Sequence, residues 1–518
     1  MGQPTAKQGS VVVTDPATKT TWTLPTPLPA SGTSAGPTHA SFVVLPSGDN
    51  SRSLTVLDNR TNKVYSVPIT SEGAVLATEF SKMRGQDGDG IRVYDPAYMN
   101  TAVARSKICE IDGDKGILRY RGYPIEELAE KSSFLEVAYL LLYGELPAKE
   151  EFQHFESEVL HHNFVHIKLA ELVKQFNHDA HPMGMFIATM AAMSTFDPSG
   201  NPALAGNDIY IKDKALRNKQ IFRILGKVTT VAAMAYRHRI GRPYNLPKEG
   251  LSYTENFLHQ MDHLSQPGYR PNPVLAKALD VLFILHADHE LNASTAAMRH
   301  LGSTLVDPYS AVAGAAAALY GPLHGGANEA VVRMLESIGK PENVSVFLEQ
   351  VKRKEKKLMG FGHRIYRSYD PRAYIIRKVA YDVFAVVGKE PLIDVAVELE
   401  KQALSDEYFT SRKLNPNVDF WSGLIYKAMG FPTDFFPVLF AIPRVAGWLA
   451  HWSEALDDPN AKIWRPRQIY VGEGRRAYIP IDHRPTATGD KKTKTIKHPF
   501  SKRNEVATWT GKVPSAKL

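Results

Sequence analysis

The sequence predicts a mainly α-helical protein with a small β-containing unit near its N-terminus. Beyond about residue 120, apolar residues recur at intervals of three and four, the period of a helix face, and the pattern continues to about residue 455. Between Ser53 and Thr70, by contrast, segments bearing Val and Leu flank the turn-like sequence 59–62, which predicts a β-hairpin. The sequence contains no evident repeat, no Gly-x-Gly-x-x-Gly after a strand, no P-loop and no paired Cys-x-x-Cys. The commonest nucleotide and zinc signatures are therefore absent from it.

The N-terminal segment has too little apolar content to fold by itself. Residues 1–50 include 26 Ser, Thr, Pro or Gly residues. We therefore predict that residues 1–40 are disordered and that residues 41–100 form the small β-containing unit. No Arg precedes Arg52, which counts against a mitochondrial transit peptide, since such peptides are rich in Arg.

Four stretches carry the helical prediction. Residues 135–142 and 221–228 have apolar side chains at helical spacing, and residues 311–319 consist almost entirely of helix formers. Residues 274–301 predict a further long helix, which the sequence Asn292–Thr295 can break.

Composition excludes several classes of protein. With 518 residues, of which 43% are hydrophobic and 22% charged, the chain has the size of two or three globular domains. It has no apolar run long enough to span a bilayer, so we expect a soluble protein without a membrane partner. Its one cysteine, Cys109, cannot form an internal disulfide and indicates a reducing compartment.

The net charge of +8 is confined to the C-terminal end. From Arg465 to Leu518 the sequence has 13 Lys and Arg against 4 Asp and Glu, whereas the other 464 residues have 49 against 50. A neutral main body predicts no basic groove for nucleic acid. We interpret residues 476–518 as a flexible, solvated basic tail rather than a polyanion-binding segment.

Four patches of reactive side chains lie in the C-terminal half, and the first is His-Ala-Asp-His-Glu at 286–290, followed by Asn292. On a helix, His286 and His289 would share one face, which suits a metal. No further ligand follows at a suitable spacing. A site for an anionic substrate is therefore favoured, with a structural polar cluster and a metal site as alternatives.

The second and third patches place His324 and His363 beside glycines. Glycine lets the backbone approach a ligand closely, so His324 can face a substrate, although an incidental His at a helix end is the alternative. His363 closes the sequence Gly-Phe-Gly-His at 360–363 and precedes Arg372, a residue type that binds carboxylates. A Lys- and Arg-rich run at 352–357 comes just before. We interpret this run as a solvated helix face, with a site for a polyphosphate-bearing cofactor as the alternative.

The fourth patch, 415–421, holds one carboxylate among apolar neighbours. Burial would raise the pKa of Asp419 and make it a stronger base than a free aspartate, although a helix N-cap is the alternative. Arg444 lies within an apolar segment, where an unpaired cation is costly, so we expect it to have a carboxylate partner. Arg465 completes the set.

Together these residues suggest one kind of chemistry. The arginines can clamp a small dicarboxylate, and one imidazole can polarise its carbonyl group. The aspartate and the other imidazole can remove a proton from the carbon beside a thioester and stabilise the resulting enol. Carbon–carbon bond formation of this kind needs no metal and no redox cofactor, and we predict none.

The same motifs resemble those of the citrate synthase family. His-Gly-Gly-Ala-Asn at 324–328, Gly-Phe-Gly-His at 360–363, Asp-Pro-Arg at 370–372 and Pro-Asn-Val-Asp at 416–419 occur in that family's order and approximate spacing. The similarity extends over about 106–470. The β-bearing N-terminal unit and the His-Ala-Asp-His-Glu sequence more closely resemble the bacterial-type branch, which includes 2-methylcitrate and alkylcitrate synthases.

This resemblance implies a citrate synthase-like two-domain helical fold, in which residues 101–475 form a large domain and a small one that closes over CoA. Asp419 would take the methyl proton of acetyl-CoA while His324 stabilises the enol. His363 would polarise and protonate the carbonyl group of oxaloacetate. Hydrolysis of the citryl-CoA thioester would then yield citrate and CoA.

The resemblance also implies the contacts to both substrates. His289, Arg372 and Arg444 would bind oxaloacetate. Arg465 would reach the site from a neighbouring subunit, so that a homodimer or higher homo-oligomer would be the functional unit. The basic run and the glycines after it are expected to contact CoA: Lys356, Lys357, Gly360 and Gly362.

Two alternatives for the reaction stay open at this point. The same condensation with a longer acyl-CoA would give 2-methylcitrate or an alkylcitrate; Trp421, near Asp419, would favour the acetyl group if its ring lines the acyl pocket. A metal-dependent hydrolase would instead use His286, His289 and Glu290.

The sequence Ala516-Lys517-Leu518 resembles the Ser-Lys-Leu peroxisomal signal. Together with the lack of a transit-peptide pattern, it predicts a peroxisomal protein whose import receptor binds this tripeptide. The cytoplasm is the alternative location.

Overall fold

The structure, a computed structural model, describes residues 10–14, 21–25, 52–86, 88–388 and 390–484. This part of the chain is mainly helical and has two small antiparallel sheets near its N-terminus. The predicted fold class, mainly α with a small N-terminal β-containing unit, is confirmed.

A four-stranded antiparallel sheet forms the N-terminal unit. In the spatial order β2-β1-β3-β4, its strands are β1 (Ser10–Thr14), β2 (Thr21–Pro25), β3 (Ser53–Asp58) and β4 (Lys63–Pro68). The predicted hairpin is confirmed, because β3 and β4 pair around the turn 59–62, where Asn62 adopts a left-handed φ of 55° that Asn tolerates. Val56, Val67 and Met83 form a small core of their own.

The prediction of disorder over residues 1–40 is wrong for the two segments that form β1 and β2. The strand β1 pairs with both β2 and β3. Its Val-Val-Val sequence and the Trp in β2 favour strands even within a segment of polar composition, and the neighbouring strands satisfy their backbone hydrogen bonds. The rest of residues 1–40 and the basic tail from residue 485 onward lie outside the described residues.

A second sheet leads into the helical region. It is three-stranded and antiparallel, and its strands are β5 (Cys109–Asp112), β6 (Ile117–Tyr120) and β7 (Tyr123–Pro124). The α-helices of the described residues are, in chain order, α1 (Ala77–Phe80), α2 (Ile125–Lys131), α3 (Phe134–Tyr143), α4 (Lys149–His161), α5 (Ile167–Val173), α6 (Pro182–Met193), α7 (Pro202–Ala205), α8 (Ile209–Lys212), α9 (Lys214–Arg239), α10 (Tyr253–Asp262), α11 (Pro273–His286), α12 (Ala293–Gly302), α13 (Pro308–Leu319), α14 (Ala327–Ile338), α15 (Val344–Lys352), α16 (Pro371–Val387), α17 (Leu392–Ser405), α18 (Glu407–Thr410), α19 (Val418–Ala428) and α20 (Phe436–Leu456).

The helical predictions agree with these bounds. The three shorter stretches lie within α3, α9 and α13. The long stretch 274–301 is broken as predicted, but the break begins earlier, directly after α11, and covers residues 287–292. Asn292 then caps α12, its side-chain oxygen accepting a hydrogen bond from the Thr295 backbone N–H (3.1 Å). Within the break, Glu290 adopts a left-handed φ of 55°.

Helix α20 is the centre of the helical region. Every residue from Phe436 to Trp452 is buried, because apolar side chains lie on all sides of the helix. It packs against α3, α9, α11, α12 and α13. A helix enclosed in this way is a rigid platform for the one arginine that it carries, Arg444. Although α20 is apolar, none of the described helices is long and apolar enough to cross a membrane.

Candidate active site

Five segments of the chain bring six of the predicted site residues into one cluster. These are the break after α11, the turn before α14, the start of α16 with the loop before it, the first turn of α19 and the middle of α20. They carry His289, His324, His363 with Arg372, Asp419 and Arg444. The charges of Arg372 and Arg444 act on both His289 and Asp419, so the cluster is electrostatically coupled.

His289 lies in the break after α11 with its ring almost fully buried. Its Nε2 is 3.3 Å from the hydroxyl of Tyr366, and its ring centroid is 5.2 Å from that of His363. Burial, aided by the positive charge of Arg372, holds the pKa of His289 well below its usual range. A neutral imidazole therefore faces the cluster.

Two neighbouring loops position His363 and Asp419 relative to each other. Gly360 and Gly362 adopt left-handed φ values of 76° and 77°, and a Cβ at Gly360 would lie 2.7 Å from the side chain of Val331. The Gly362 N–H donates to the Asn415 carbonyl (2.8 Å), and the Asn417 N–H donates to the Gly360 carbonyl (2.9 Å). Glycine is required here because a side chain would be strained and would keep the two loops apart.

The protonation pattern of His363 follows from its own loop. Its Nδ1 accepts hydrogen bonds from the backbone N–H groups of Ile365 (3.1 Å) and Tyr366 (3.2 Å). The ring proton must therefore be on Nε2. Burial and the neighbouring Arg372 lower the pKa of His363 to about 4, so the ring is a neutral Nε2–H donor at physiological pH.

Arg372 is held by a buried ion pair at the start of α16. Its Nε and Nη2 donate to the two carboxylate oxygens of Asp370 at 3.0 and 2.9 Å. Asp370 also caps α16 and accepts from the backbone N–H of Val418 at 3.2 Å, which connects the first turns of α16 and α19. Burial would raise the pKa of Asp370, but Arg372 outweighs it and holds that pKa below its usual value.

His324 lies in the turn before α14 and contacts the first turn of α12. Its Nε2 accepts from the backbone N–H of Ser294 (3.3 Å) and is 3.0 Å from the Ser294 hydroxyl. The ring proton must therefore be on Nδ1. Trp448 donates to the same hydroxyl (3.2 Å), which fixes the serine in place. Burial, with help from Arg444, lowers the pKa of His324 to about 4, so this ring is also neutral.

Arg444 is a buried cation on α20, and its predicted carboxylate partner is not found. Its Nε donates to the carbonyl oxygen of His286 (2.6 Å), and its guanidinium lies 4.7 Å from the ring centre of Phe440. Among the described residues no carboxylate lies within salt-bridge distance of it. A backbone carbonyl and an aromatic face replace the partner that the sequence predicted, and burial lowers the pKa of this guanidinium.

Asp419 lies in the first turn of α19, but it is not the helix cap. Asn417 is the N-cap, and its side-chain oxygen accepts from the Asp419 backbone N–H at 3.0 Å. The Asp419 carboxylate is thus left for the cluster. Burial raises its pKa to about 6, although Arg372 opposes the shift. A carboxylate with a pKa near neutrality suits the role of general base.

A cavity of about 370 Å³ opens beside His363, and the sequence prediction missed its cationic lining. The lining residues are Gly362, His363, Tyr366, Arg367, Arg412, Lys413 and Leu414. The guanidinium of Arg412 stacks 3.8 Å from the ring centre of Tyr408, which orients it. The only sequence signal for these cations was two basic residues just before the motif that contains Asp419.

The basic run at 352–357 differs from its prediction. Helix α15 ends at Lys352, which is half-buried, and the rest of the run, 353–357, is exposed but lies beyond the helix rather than on a helix face. Lys354 adopts a left-handed φ of 63° there. Lys356 and Lys357 are exposed and do not line the cavity beside His363, whereas Gly362 does.

The metal-dependent alternative lacks its set of ligands. No three His, Cys, Asp or Glu side chains of the described residues are grouped so that they could hold a metal ion. His286 is the last residue of α11, and its ring Nδ1 is 2.7 Å from the Leu282 carbonyl oxygen of its own helix. His286, His289 and Glu290 therefore do not form the predicted ligand group.

Trp421 does not stand beside the Asp419 carboxylate. Side chains two positions apart on a helix point about 200° apart, which sends the indole to the opposite face of α19. There it is fully buried, with its ring against Phe420 and 5.6 Å from the guanidinium of Arg377. Trp421 is not among the residues that line the cavity beside His363, and a place for its ring in the acyl pocket stays a prediction. Arg465, on the segment that follows α20, is exposed on the single chain.

A family model described as "Citrate synthase, C-terminal domain" matches residues 97–467. The chain belongs to the citrate synthase family. The citrate synthase named peroxisomal in Dictyostelium discoideum is 64% identical over 435 residues, which cover 84% of this chain and 88% of that protein. The citrate synthase named glyoxysomal in Cucurbita maxima is 55% identical over 459 residues, which cover 88% and 89%.

Solved structures of citrate synthases share this fold. The Pyrobaculum aerophilum enzyme matches with a TM-score of 0.68 and 38% identity, covering 74% of this chain and 94% of that one.

 The Thermoplasma acidophilum citrate synthase, solved in a ternary complex with carboxymethyl coenzyme A and oxaloacetate, matches with a TM-score of 0.67 and 33% identity and covers 74% of this chain and 98% of that one.

This chain is therefore an enzyme of the citrate synthase type, as the sequence predicted. The names of the two relatives also confirm the predicted peroxisomal location. The bacterial-type branch, the oligomeric state and the role of each site residue stay predictions.

Proposed function

We propose that this citrate synthase-type enzyme condenses acetyl-CoA with oxaloacetate through Asp419, His324 and His363. The observation that carries the proposal is the arrangement of the two histidines. Backbone N–H groups occupy Nε2 of His324 and Nδ1 of His363. Each neutral ring keeps its proton on the other nitrogen, from which it can donate to a substrate oxygen. A half-buried carboxylate of raised pKa with two such donors suits the removal of a proton beside a carbonyl group.

In the proposed reaction, Asp419 takes a proton from the methyl carbon of acetyl-CoA, and His324 donates a hydrogen bond to the thioester oxygen of the enol that forms. The new bond joins this carbon to the ketone carbon of oxaloacetate, whose oxygen takes a proton from His363, and the proton that Asp419 has taken then restores the histidine, so that both groups return to their starting states. Water then cleaves the thioester and releases citrate and CoA. No electrons leave the substrates, so the proposal requires no redox cofactor, and the two N–H donors supply the electrophilic stabilisation that a metal would otherwise provide.

Binding of oxaloacetate is assigned to His289, Arg372 and Arg444, with Arg465 from a neighbouring subunit. Arg444 supports this assignment most strongly, because a buried guanidinium without a carboxylate partner among the described residues is stabilised by an incoming anion. Arg372 is already oriented by Asp370 and supplies a second fixed cation.

Binding of acyl-CoA is assigned to the cavity beside His363. Arg367, Arg412 and Lys413 line it, and three cations suit the phosphate groups of CoA. Gly362 also lines the cavity, where a glycine leaves backbone groups accessible to the ligand. The exposed Lys356 and Lys357, predicted from the sequence, are not needed for this assignment.

A homodimer or higher homo-oligomer would complete the site through Arg465. The segment after α20 exposes large apolar side chains, including Tyr470 and Val471, and apolar surface of this kind suits contact with a second copy. The import-receptor contact predicted at 516–518 lies outside the described residues. Deleting these three residues from a fluorescently labelled protein should shift it from peroxisomes to the cytoplasm.

The proposed reaction is tested by release of the free CoA thiol. Purified protein is given oxaloacetate with acetyl-, propionyl-, hexanoyl- or decanoyl-CoA, and kcat/KM is compared. We expect a clear preference for acetyl-CoA and near-complete loss of turnover in the Asp419→Ala variant. Preference for a longer chain would replace citrate by 2-methylcitrate or an alkylcitrate while keeping the same residues. Absence of thiol release with all four would overturn the proposal.

A further inference from the structure

One face of α20 holds three consecutive residues, the last residue of α11 and the first two of the break after it. Arg444 Nε donates to the His286 carbonyl (2.6 Å), and the Gly447 N–H donates to the Ala287 carbonyl (3.2 Å). One turn further on, His451 contacts the next residue of the break. These α20 positions are three and four residues apart and therefore share one face of the helix.

The third contact is a fully buried pair between Asp288 and His451. The His451 Nε2 lies 3.3 Å from both carboxylate oxygens of Asp288. Arg299 donates to the opposite ring nitrogen, Nδ1, at 3.3 Å, so the ring proton must be on Nε2 and face the carboxylate. Arg299 also pairs with Glu454 (3.1 Å). Both partners of the pair thus have fixed orientations.

The break requires such support because its backbone has no regular secondary structure to hold its conformation. It lies outside α11 and α12, and Glu290 adopts a left-handed φ of 55°, which costs about 1 kcal/mol or more for a residue other than glycine. The Asp288 carboxylate accepts from the Glu290 N–H (3.1 Å) and so fixes the chain on the far side of His289. A Cβ at Gly447 would collide with the Ala287 carbonyl oxygen and the Asp288 carboxylate, so the helix approaches as closely as glycine allows.

We propose that Asp288 and His451 are positioning residues that hold the break in register with α20, so that His289 and Arg444 meet the same oxaloacetate molecule. This inference rests on the proposed function, in which both residues bind that substrate. A buried pair of a carboxylate and a polar ring is weak evidence for stability, since apolar residues of similar volume are often as stable. Asp288 precedes His289, and His451 lies seven residues after Arg444 on the same helix face. A hydrogen bond between them fixes the relative orientation of the two segments, which apolar packing alone would not do.

The test compares two amides at position 451. In His451→Gln the amide nitrogen takes the place of Nε2 and still reaches Asp288, whereas in His451→Asn it takes the place of Nδ1 and does not. We expect His451→Asn to raise the KM for oxaloacetate about tenfold, with the KM for acetyl-CoA unchanged and His451→Gln close to the wild type. The double variant with Asp288→Ala should be no worse than either single variant, because the two residues act as one unit.

Arg217→Ala is the matched control, because Arg217 is a buried arginine that binds Ser453 and Asp457 near the other end of α20. It should lower Tm without changing the KM for oxaloacetate. A purely structural role for the pair predicts the same result for His451→Asn, and that result would overturn the proposal. So would a double variant whose effects multiply.

Hydrogen–deuterium exchange over residues 286–290 separates this inference from the proposed function. Exchange there should be faster in His451→Asn and Asp288→Ala than in the wild type and in His451→Gln, whether or not the protein releases CoA. Unchanged exchange in both variants would refute the positioning role. Absence of CoA release by the wild type would instead refute the proposed function, and the exchange data would still decide the role of the pair.

Discussion

The side-chain nitrogen of Asn417 donates a hydrogen bond to the carbonyl oxygen of Gly362, 2.8 Å away. The side-chain oxygen of the same residue caps α19 through the Asp419 N–H. One amide therefore connects the loop that ends in His363 to the helix that carries the proposed base, and the relative position of these two groups depends on it.

Replacing Asn417 by Ala should lower kcat strongly and the free energy of unfolding only slightly. Loss of a helix cap costs about 1 kcal/mol, whereas loss of the loop contact displaces His363 from Asp419, for which we expect at least a tenfold fall in kcat. Asn272→Ala removes the cap of α11, which is formed in the same way, and serves as the control. Thiol-release kinetics and urea unfolding measure both effects; equal kcat values in the two variants would contradict the prediction.

Asp419→Asn should abolish turnover and yet stabilise the fold at pH 8. Burial raises the pKa of Asp419 from about 3.8 to about 6, so the folded state binds the proton more tightly than the unfolded state. Stability is thus highest below the unfolded pKa and falls as the pH rises through about 6. Removing the charge should add about 3 kcal/mol to the free energy of unfolding at pH 8 and almost nothing near pH 4.

Asp280→Asn is the matched control for that measurement. Burial raises the pKa of Asp280 to about 6 as well, but this residue lies in α11 and accepts from the Phe134 N–H rather than facing the cluster. We expect a similar gain in stability at pH 8 without loss of turnover. If Asp419→Asn were less stable than the wild type at pH 8, the conclusion that the ionised Asp419 carboxylate destabilises the folded state would be wrong.

The pH dependence of kcat/KM for acetyl-CoA should show one acidic limb. Asp419 must be ionised to act as a base, so the rate should fall about tenfold per pH unit below a midpoint near 6. His324 and His363 have pKa values lowered to about 4 by burial, so they stay neutral across this range and add no second limb between pH 5 and 8. A limb whose midpoint moves when His324 is replaced by Asn would assign the titration to that histidine instead.

Much of the site could be predicted from the sequence because its side chains occur in short local motifs. Glycines beside His324 and His363, and an aspartate within an apolar segment, are visible in single stretches of the chain. The helices are visible for the same reason, since their apolar period extends over many residues. The N-cap of α19 is two residues earlier than the sequence alternative placed it, at Asn417 rather than Asp419.

What could not be predicted depends on contacts between distant parts of the chain. The partner of Arg444 is a carbonyl group 158 residues away, which no local pattern reveals. The cationic cavity forms only when the loop with Arg367 packs beside Arg412 and Lys413.

The cations of the cavity beside His363 should control the affinity for acyl-CoA and not that for oxaloacetate. Replacing Arg412 or Lys413 by Gln removes one phosphate-binding charge, and we expect the KM for acetyl-CoA to rise about tenfold in each case. Lys356→Gln and Lys357→Gln remove charges that lie outside the cavity and should change it less than twofold. A larger effect at Lys356 or Lys357 would instead place the CoA site at the basic run 352–357.

The two buried arginines of the site should respond in opposite ways to neutral replacement. Arg372 pairs with the equally buried Asp370, so Arg372→Met leaves an uncompensated carboxylate and should cost about 3–5 kcal/mol of unfolding free energy. Arg444 has a carbonyl group and an aromatic ring as its neighbours and no carboxylate within salt-bridge distance among the described residues. Arg444→Met should therefore leave Tm unchanged or raise it, while the KM for oxaloacetate increases at least a hundredfold because the cation that receives the substrate is gone. Thermal unfolding with and without oxaloacetate measures both: the wild type should gain Tm with the ligand and Arg444→Met should not. A fall in Tm for Arg444→Met as large as that for Arg372→Met would show that the main role of Arg444 is to stabilise the fold and not to bind the substrate anion.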